Sequence, residues 1–119
     1  GLLRRSPLEV SWGSGSFIVK APDPGGSGRM LSLCVVGKGG VLYTYPSWLD
    51  DQLTDLWGNE GAAQRVSQQH IDLLQGYGAV RTASGKQYNV RLAALSGKEE
   101  QFVGDLLRLV DTIAKGPAA

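Results

Sequence analysis

The feature that most constrains the fold is the last third of the chain. A short basic strand, Lys86 to Leu95, runs through Ser96-Gly97 into one amphipathic helix. There Phe102, Leu106, Leu109 and Ile113 recur at steps of four, three and four, which sets an aromatic and three aliphatic side chains on one stripe. A single helix with one apolar face, arriving after a series of strands, must lie against a sheet or plug a barrel. Few folds end that way, and most of them bind rather than catalyse. The chain carries no recognisable catalytic motif, so a non-enzymatic role is expected.

Composition sets the outer limits. At 119 residues one domain is expected, and 42% hydrophobic content argues against wholesale disorder. Net charge is +1, so no global field draws the chain to DNA or to a membrane, and such binding would need a local patch. Seventeen glycines imply many turns and hence many short strands. The one cysteine, Cys34, lies in an apolar run; it reads as a buried structural thiol, and it fits the reducing cytoplasm. With a single histidine beside it, no metal or cofactor site is expected. No apolar run approaches the roughly 20 residues that span a bilayer. Gly1 to Arg5 is too short for a signal peptide and the first residue is not Met, which suggests a trimmed chain or an excised piece of something longer.

Alternation of apolar and polar residues marks strands at 8–12, 16–21 and 29–36, the last with Leu31, Leu33 and Val35 on one face. Pro22 to Gly28 is a turn-rich loop. Gly37 to Gly40 makes a hairpin to a returning strand, Val41 to Tyr45, which Pro46 stops. Ser47 is suited to cap a helix from Trp48 to Trp57 that Gly58-Asn59 ends. Residues 60–75 fit a loose helical face through Ala62, Val66, Ile71 and Leu74, although His70 to Leu74 also suits a strand. Tyr77–Thr82 and Lys86–Ala94 read as a hairpin, and the closing helix spans about 97–114 before Gly116-Pro117.

In this order the pieces resemble a pleckstrin-homology domain. Gly15-Ser-Phe-Ile-Val-Lys20 looks like that family's opening strand, Arg29-Met-Leu-Ser-Leu33 its second and Gly40-Val-Leu-Tyr-Thr-Tyr-Pro-Ser47 its third. Leu92 to Glu99 resembles its last strand and the entry to its helix. The resemblance covers residues 15–114. It implies an α+β fold: a small antiparallel β-barrel or sandwich, here with a helical insert and a C-terminal capping helix. Residues 1–14 would be an extension suited to an added edge strand, and 115–119 a tail. Phe102 stands near the place of the family's helix tryptophan, and the helical residues 48–70 depart from its pattern. Short strands leave unpaired edges unless the sheet closes, which argues independently for a barrel. Burial of the helix stripe at roughly 1.5–3 kcal/mol per side chain would then hold the domain together.

The resemblance also implies a ligand site. Lys20 and Arg29 flank the first loop where the family's basic residues chelate inositol-lipid phosphates, with Lys38 adding charge from the next hairpin. Ser27 stands where the family's lipid binders place a further cation, and the loop also carries Asp23. Trp48 and Trp57, nine positions apart on one short helix, point to different sides, so one of them suits a protein-binding anchor. His70 fits no catalytic frame and reads as a surface or partly packed histidine; Asp50, Asp51 and Asp55 fit no calcium-loop frame and read as a solvated helix face.

The leading expectation is therefore a non-catalytic adaptor or scaffold module of a larger intracellular protein. It would bind a protein partner, in a setting that suits a membrane or the cytoskeleton, with phosphoinositide binding as an alternative. A second alternative is a winged-helix nucleic-acid binder, with Gln68, Gln69 and His70 toward bases and Arg81, Lys86 and Arg91 toward phosphates. A helix over 62–75 would favour it, and a strand at 70–74 the barrel. A longin-like trafficking domain is a further candidate, from the hairpin Met30 to Tyr45 and the helix after it.

Overall fold

The structure, a computed structural model, describes residues 9–12, 17–23, 27–37 and 39–117. Its elements in chain order are β1 (Glu9–Trp12), β2 (Phe17–Pro22), β3 (Met30–Val36), β4 (Val41–Thr44), α1 (Pro46–Trp57), α2 (Glu60–Gln75), β5 (Val80–Arg81), β6 (Tyr88–Arg91), a 3-10 turn (Leu92–Leu95) and α3 (Glu99–Ala114). The fold is α+β, with a helical middle and a closing helix.

The strands form one antiparallel sheet in the order β1-β2-β3-β4-β6-β5. Its edges, β1 and β5, do not pair with each other, so the sheet is open and the expected barrel does not form. The edge problem that argued for closure is met differently at β5, which is only two residues long.

One face of the sheet carries the core. Val19, Ala21, Leu31, Leu42 and Val90 are buried there with Leu49 and Leu53 of α1, Val66 and Leu74 of α2 and the apolar stripe of α3. That stripe is the expected one, Phe102, Leu106, Leu109 and Ile113, joined by Val110. The expected single face of Leu31, Leu33 and Val35 is corrected. The pairing of β2 with β3 shifts between Val19 and Lys20, so Cys34 opposes Val19 while Ser32 opposes Lys20. Leu33 is the extra residue of this bulge. It turns Cys34 into the core and Val35 to the opposite face, where Val35 is buried yet stands apart from the core cluster.

The helices begin and end for local reasons. Pro46 occupies the first turn of α1, where its missing N–H costs nothing, so the helix starts ahead of the expected Ser47 cap. Gly58, at φ +62°, ends it in the left-handed conformation and donates its N–H to Thr54. Asn59 then caps α2, its side chain accepting from the Ala62 N–H at 3.0 Å. Residues 70–74 are helical; Val66, His70 and Leu74, four apart, are all buried, and that repeat outweighs the local strand-like run. The second hairpin is shorter than expected. Tyr77 lies in the turn after α2, and Leu92–Leu95 wind into the 3-10 turn that buries Leu95.

Candidate functional site

The helices pack on one face of the sheet. Across the other, a single register row runs Ile18–Val35–Tyr43–Asn89–Val80, one residue from each of five strands. Within this row Val35 is buried, while Ile18, Tyr43 and Asn89 are half-buried. Val80, at its end, is 68% exposed and is the most exposed large hydrophobic residue described. Tyr43 lies close over Gly37, where an added Cβ would come within 3.4 Å of its ring. Tyr45, two residues on and so on the same face, meets Tyr43 edge-on at 5.9 Å, and the Trp48 ring follows at 4.6 Å. The result is an aromatic strip that passes from the sheet onto α1.

Gln52 sets how α1 meets the sheet. Only Val35 and Val36 of β3 pair with β4, because β4 ends at Thr44 and the chain turns into α1. The Gln52 side-chain amide serves the unpaired half of that edge. Its oxygen accepts from the Ser32 N–H at 3.2 Å and its nitrogen donates to the Met30 carbonyl at 3.5 Å. These are the two groups that a neighbouring parallel strand would have met. Thr44 completes the edge by donating its hydroxyl to the Leu33 carbonyl at 3.0 Å. With Leu49 and Leu53 in the core, Trp48, Asp51 and Gln52 turn toward the sheet face opposite the core. They enclose with Ile18 and Ser32 a cleft of about 410 Å³.

Two of the three residues expected to bind an anion are described. Lys20 sits on β2 opposite Ser32. Arg29 pairs with Asp55 of α1, which neutralises the cation and pins the first loop to the helix. Lys38 lies outside the described residues. Of the two indoles, Trp48 belongs to the aromatic strip, whereas Trp57 is half-buried against the core.

Part of the winged-helix expectation is met, for α2 is a helix throughout and the β5–β6 hairpin follows it. Among the described residues one helix, α1, precedes α2. His70, however, is buried in the protein at 1% exposure, not turned outward, and neither ring nitrogen has a hydrogen-bond partner. Burial pushes its pKa down to about 4, so the ring is neutral at pH 7. Gln68 and Gln69 are exposed, and Gln68 bonds Asp72 on its own helix. Arg81, Lys86 and Arg91 are exposed on or beside the hairpin, where Arg81 folds back onto the Gly85 carbonyl.

A second, polar groove of about 470 Å³ lies between α2 and α3. Tyr77 donates to Asp105 there at 2.6 Å, and Arg108 pairs with the same carboxylate. Burial and this bond push the Tyr77 hydroxyl up to about 12. Tyr77, Asp105 and Arg108 are thus spent on each other. Among the described residues no three potential ligand side chains gather as a metal site would need, and no helix is long and apolar enough to cross a membrane.

The sequence analysis named Trp48 but passed over Gln52 and the tyrosines. The signal was present as Tyr43 and Tyr45 at strand spacing, alternating with the inward Leu42 and Thr44. The chain matches no protein-family model, no curated protein and no solved structure.

Proposed function

We propose that this chain is a binding module that engages a protein partner through the face of its sheet opposite the shared core. The observation that carries this reading is the row Ile18–Val35–Tyr43–Asn89–Val80 together with the Tyr45–Trp48 strip beside it. Aromatic side chains supply large contact area at small entropic cost, which is why they dominate protein interfaces. The face is built on strands held from behind by a packed core, so it is rigid before binding. An adaptor or scaffold role within a larger protein follows from this reading.

A second reading, winged-helix nucleic-acid binding, is favoured by one observation, the sequence of α1, α2 and the β5–β6 hairpin. Charge weighs against it. The exposed charges of α2 are Glu60, Arg65 and Asp72, and α1 carries three aspartates with no lysine or arginine. Nucleic-acid affinity rests on phosphate neutralisation; the hairpin offers Arg81, Lys86 and Arg91 for it, but the two helices set five acidic residues against one arginine. The inositol-phosphate reading needs Lys20, Arg29 and Lys38 free around one loop, and the Arg29–Asp55 pair removes a cation from it.

The test is photo-crosslinking in the parent cell, with benzoylphenylalanine in place of Tyr43 or, as a control, of exposed Gln101 on α3. The expected outcome is a discrete protein adduct from position 43 and none from 101. Equal labelling from both positions would sink the reading. So would saturable binding of short duplex DNA that depends on Arg81, Lys86 and Arg91.

A further inference from the structure

We propose that the cleft between Trp48 and Asp51 receives the cationic side chain, arginine or lysine, of a protein partner docked on the sheet face. The proposal rests on the reading above and names what the partner must carry. Three observations converge on it.

The first is the charge of α1. Its sequence, PSWLDDQLTDLW, holds three aspartates and no basic residue. Asp55 is matched by Arg29, and Asp50 accepts from the Thr54 hydroxyl at 3.4 Å. Asp51 is exposed and has no ion-pair or hydrogen-bond partner among the described residues. Lys20 stands on the same sheet face opposite Ser32, yet it forms no ion pair with Asp51 there.

The second is the lining. Ile18 and the Trp48 indole give the cleft apolar surface, and Asp51 gives it a carboxylate. An apolar surface beside an anion suits a side chain with a methylene stem and a charged head, since the stem covers the apolar wall while the head reaches the charge. A cation over an indole face is further stabilised by the ring quadrupole.

The third is rigidity. Tyr45 packs against Trp48 with the rings tilted at 45°, and Gln52, the neighbour of Asp51, is held by both of its bonds to the β3 backbone. The site is therefore fixed before its occupant arrives, and little ordering entropy is lost on binding.

The experiment is a two-dimensional NMR titration of the whole chain with the capped tripeptide Ala-Arg-Ala at millimolar concentration, with Ala-Gln-Ala as control. The Trp48 indole N–H is assigned from its loss in Trp48→Phe. We expect a saturable shift of that signal and of the Asp51 amide with the arginine peptide alone. Asp51→Asn should weaken binding by about threefold, the size of an exposed charge contact, while Asp50→Asn leaves it unchanged. Raised salt should weaken it likewise. No shift at Trp48, or equal shifts with the glutamine peptide, overturns the proposal. If that happens while the Tyr43 crosslinker still captures a protein, the cleft fails and the sheet-face reading stands. Arginine-peptide binding with no adduct at position 43 upholds a cation site but removes the sheet-face reading.

Discussion

Two buried residues behave in opposite ways because burial acts on different charge states. Cys34 is fully buried, which pushes its thiol up to about 12, so no thiolate forms near neutral pH. It should be inert to a thiol reagent in the folded protein and react at once in denaturant; rapid native labelling would contradict its placement. His70 has the reverse problem. Its folded pKa of about 4 lies below the ordinary 6.5, so the unfolded chain binds the extra proton between those values. The stability contributed by neutral His70 is complete above pH 6.5 and lost as pH falls toward 4, by roughly 3 kcal/mol in all. His70→Leu removes two unpaired nitrogens at little change in volume. It should raise the melting temperature at pH 7 and flatten the fall in stability between pH 6.5 and 4. The burial of Cys34 was legible from its apolar neighbours. That of His70 was not, because the chemistry of histidine gives no preference and only the four-residue repeat with Val66 and Leu74 places it inside.

At the scale of elements, the seam between α1 and β3 is the point to probe. Gln52→Ala leaves the Ser32 N–H and the Met30 carbonyl without their side-chain partner, and it should cost about 1 kcal/mol in a urea melt. Hydrogen exchange should accelerate at Ser32 more than at the strand-paired Val36; unchanged exchange at Ser32 would mean that Gln52 does not hold the edge. Glu in its place can still accept from Ser32 but cannot donate to Met30, so it should recover only part of the loss. Most elements were legible from periodicity and turn residues: the β3–β4 hairpin, α1 with its glycine stop, and α3 with its stripe. The bulge at Leu33 was not. A one-residue insertion leaves no trace in composition, yet it reverses the face of every residue beyond it. The seam was equally hidden, since a glutamine standing in for a strand depends on where the helix comes to rest.

For the molecule as a whole, the sheet and all three helices share one core, so damage at one point should be felt throughout. Leu106→Ala removes a fully buried side chain from α3, and a loss of about 2–5 kcal/mol is expected. Unfolding followed by far-UV circular dichroism and by tryptophan fluorescence should still coincide, with both midpoints lowered together. Separate midpoints would show that α3 and the sheet do not unfold as a unit. The class of fold, antiparallel strands closed by an amphipathic helix, was legible from the sequence. Closure was not, because local strand signals carry no information about whether the first and last strands meet. The candidate site lay out of reach for the same reason, as its row draws one residue from each of five separate strands.

The helical middle leaves its mark on how the chain must assemble. β2, β3 and β4 meet through near neighbours, and α1 meets α2 across Gly58-Asn59 alone. β6, however, lies beside β4, with Thr44 opposite Tyr88 and both helices strung out between them. That loop must close before any β4–β6 contact can reward it. The local meander and the helix pair should therefore gain structure early, and the docking of β6 should limit the rate. A newly made chain halted before residue 86 would hold every aromatic of the proposed binding strip while one flank of β4 stood open, a natural point for wrong pairing between chains.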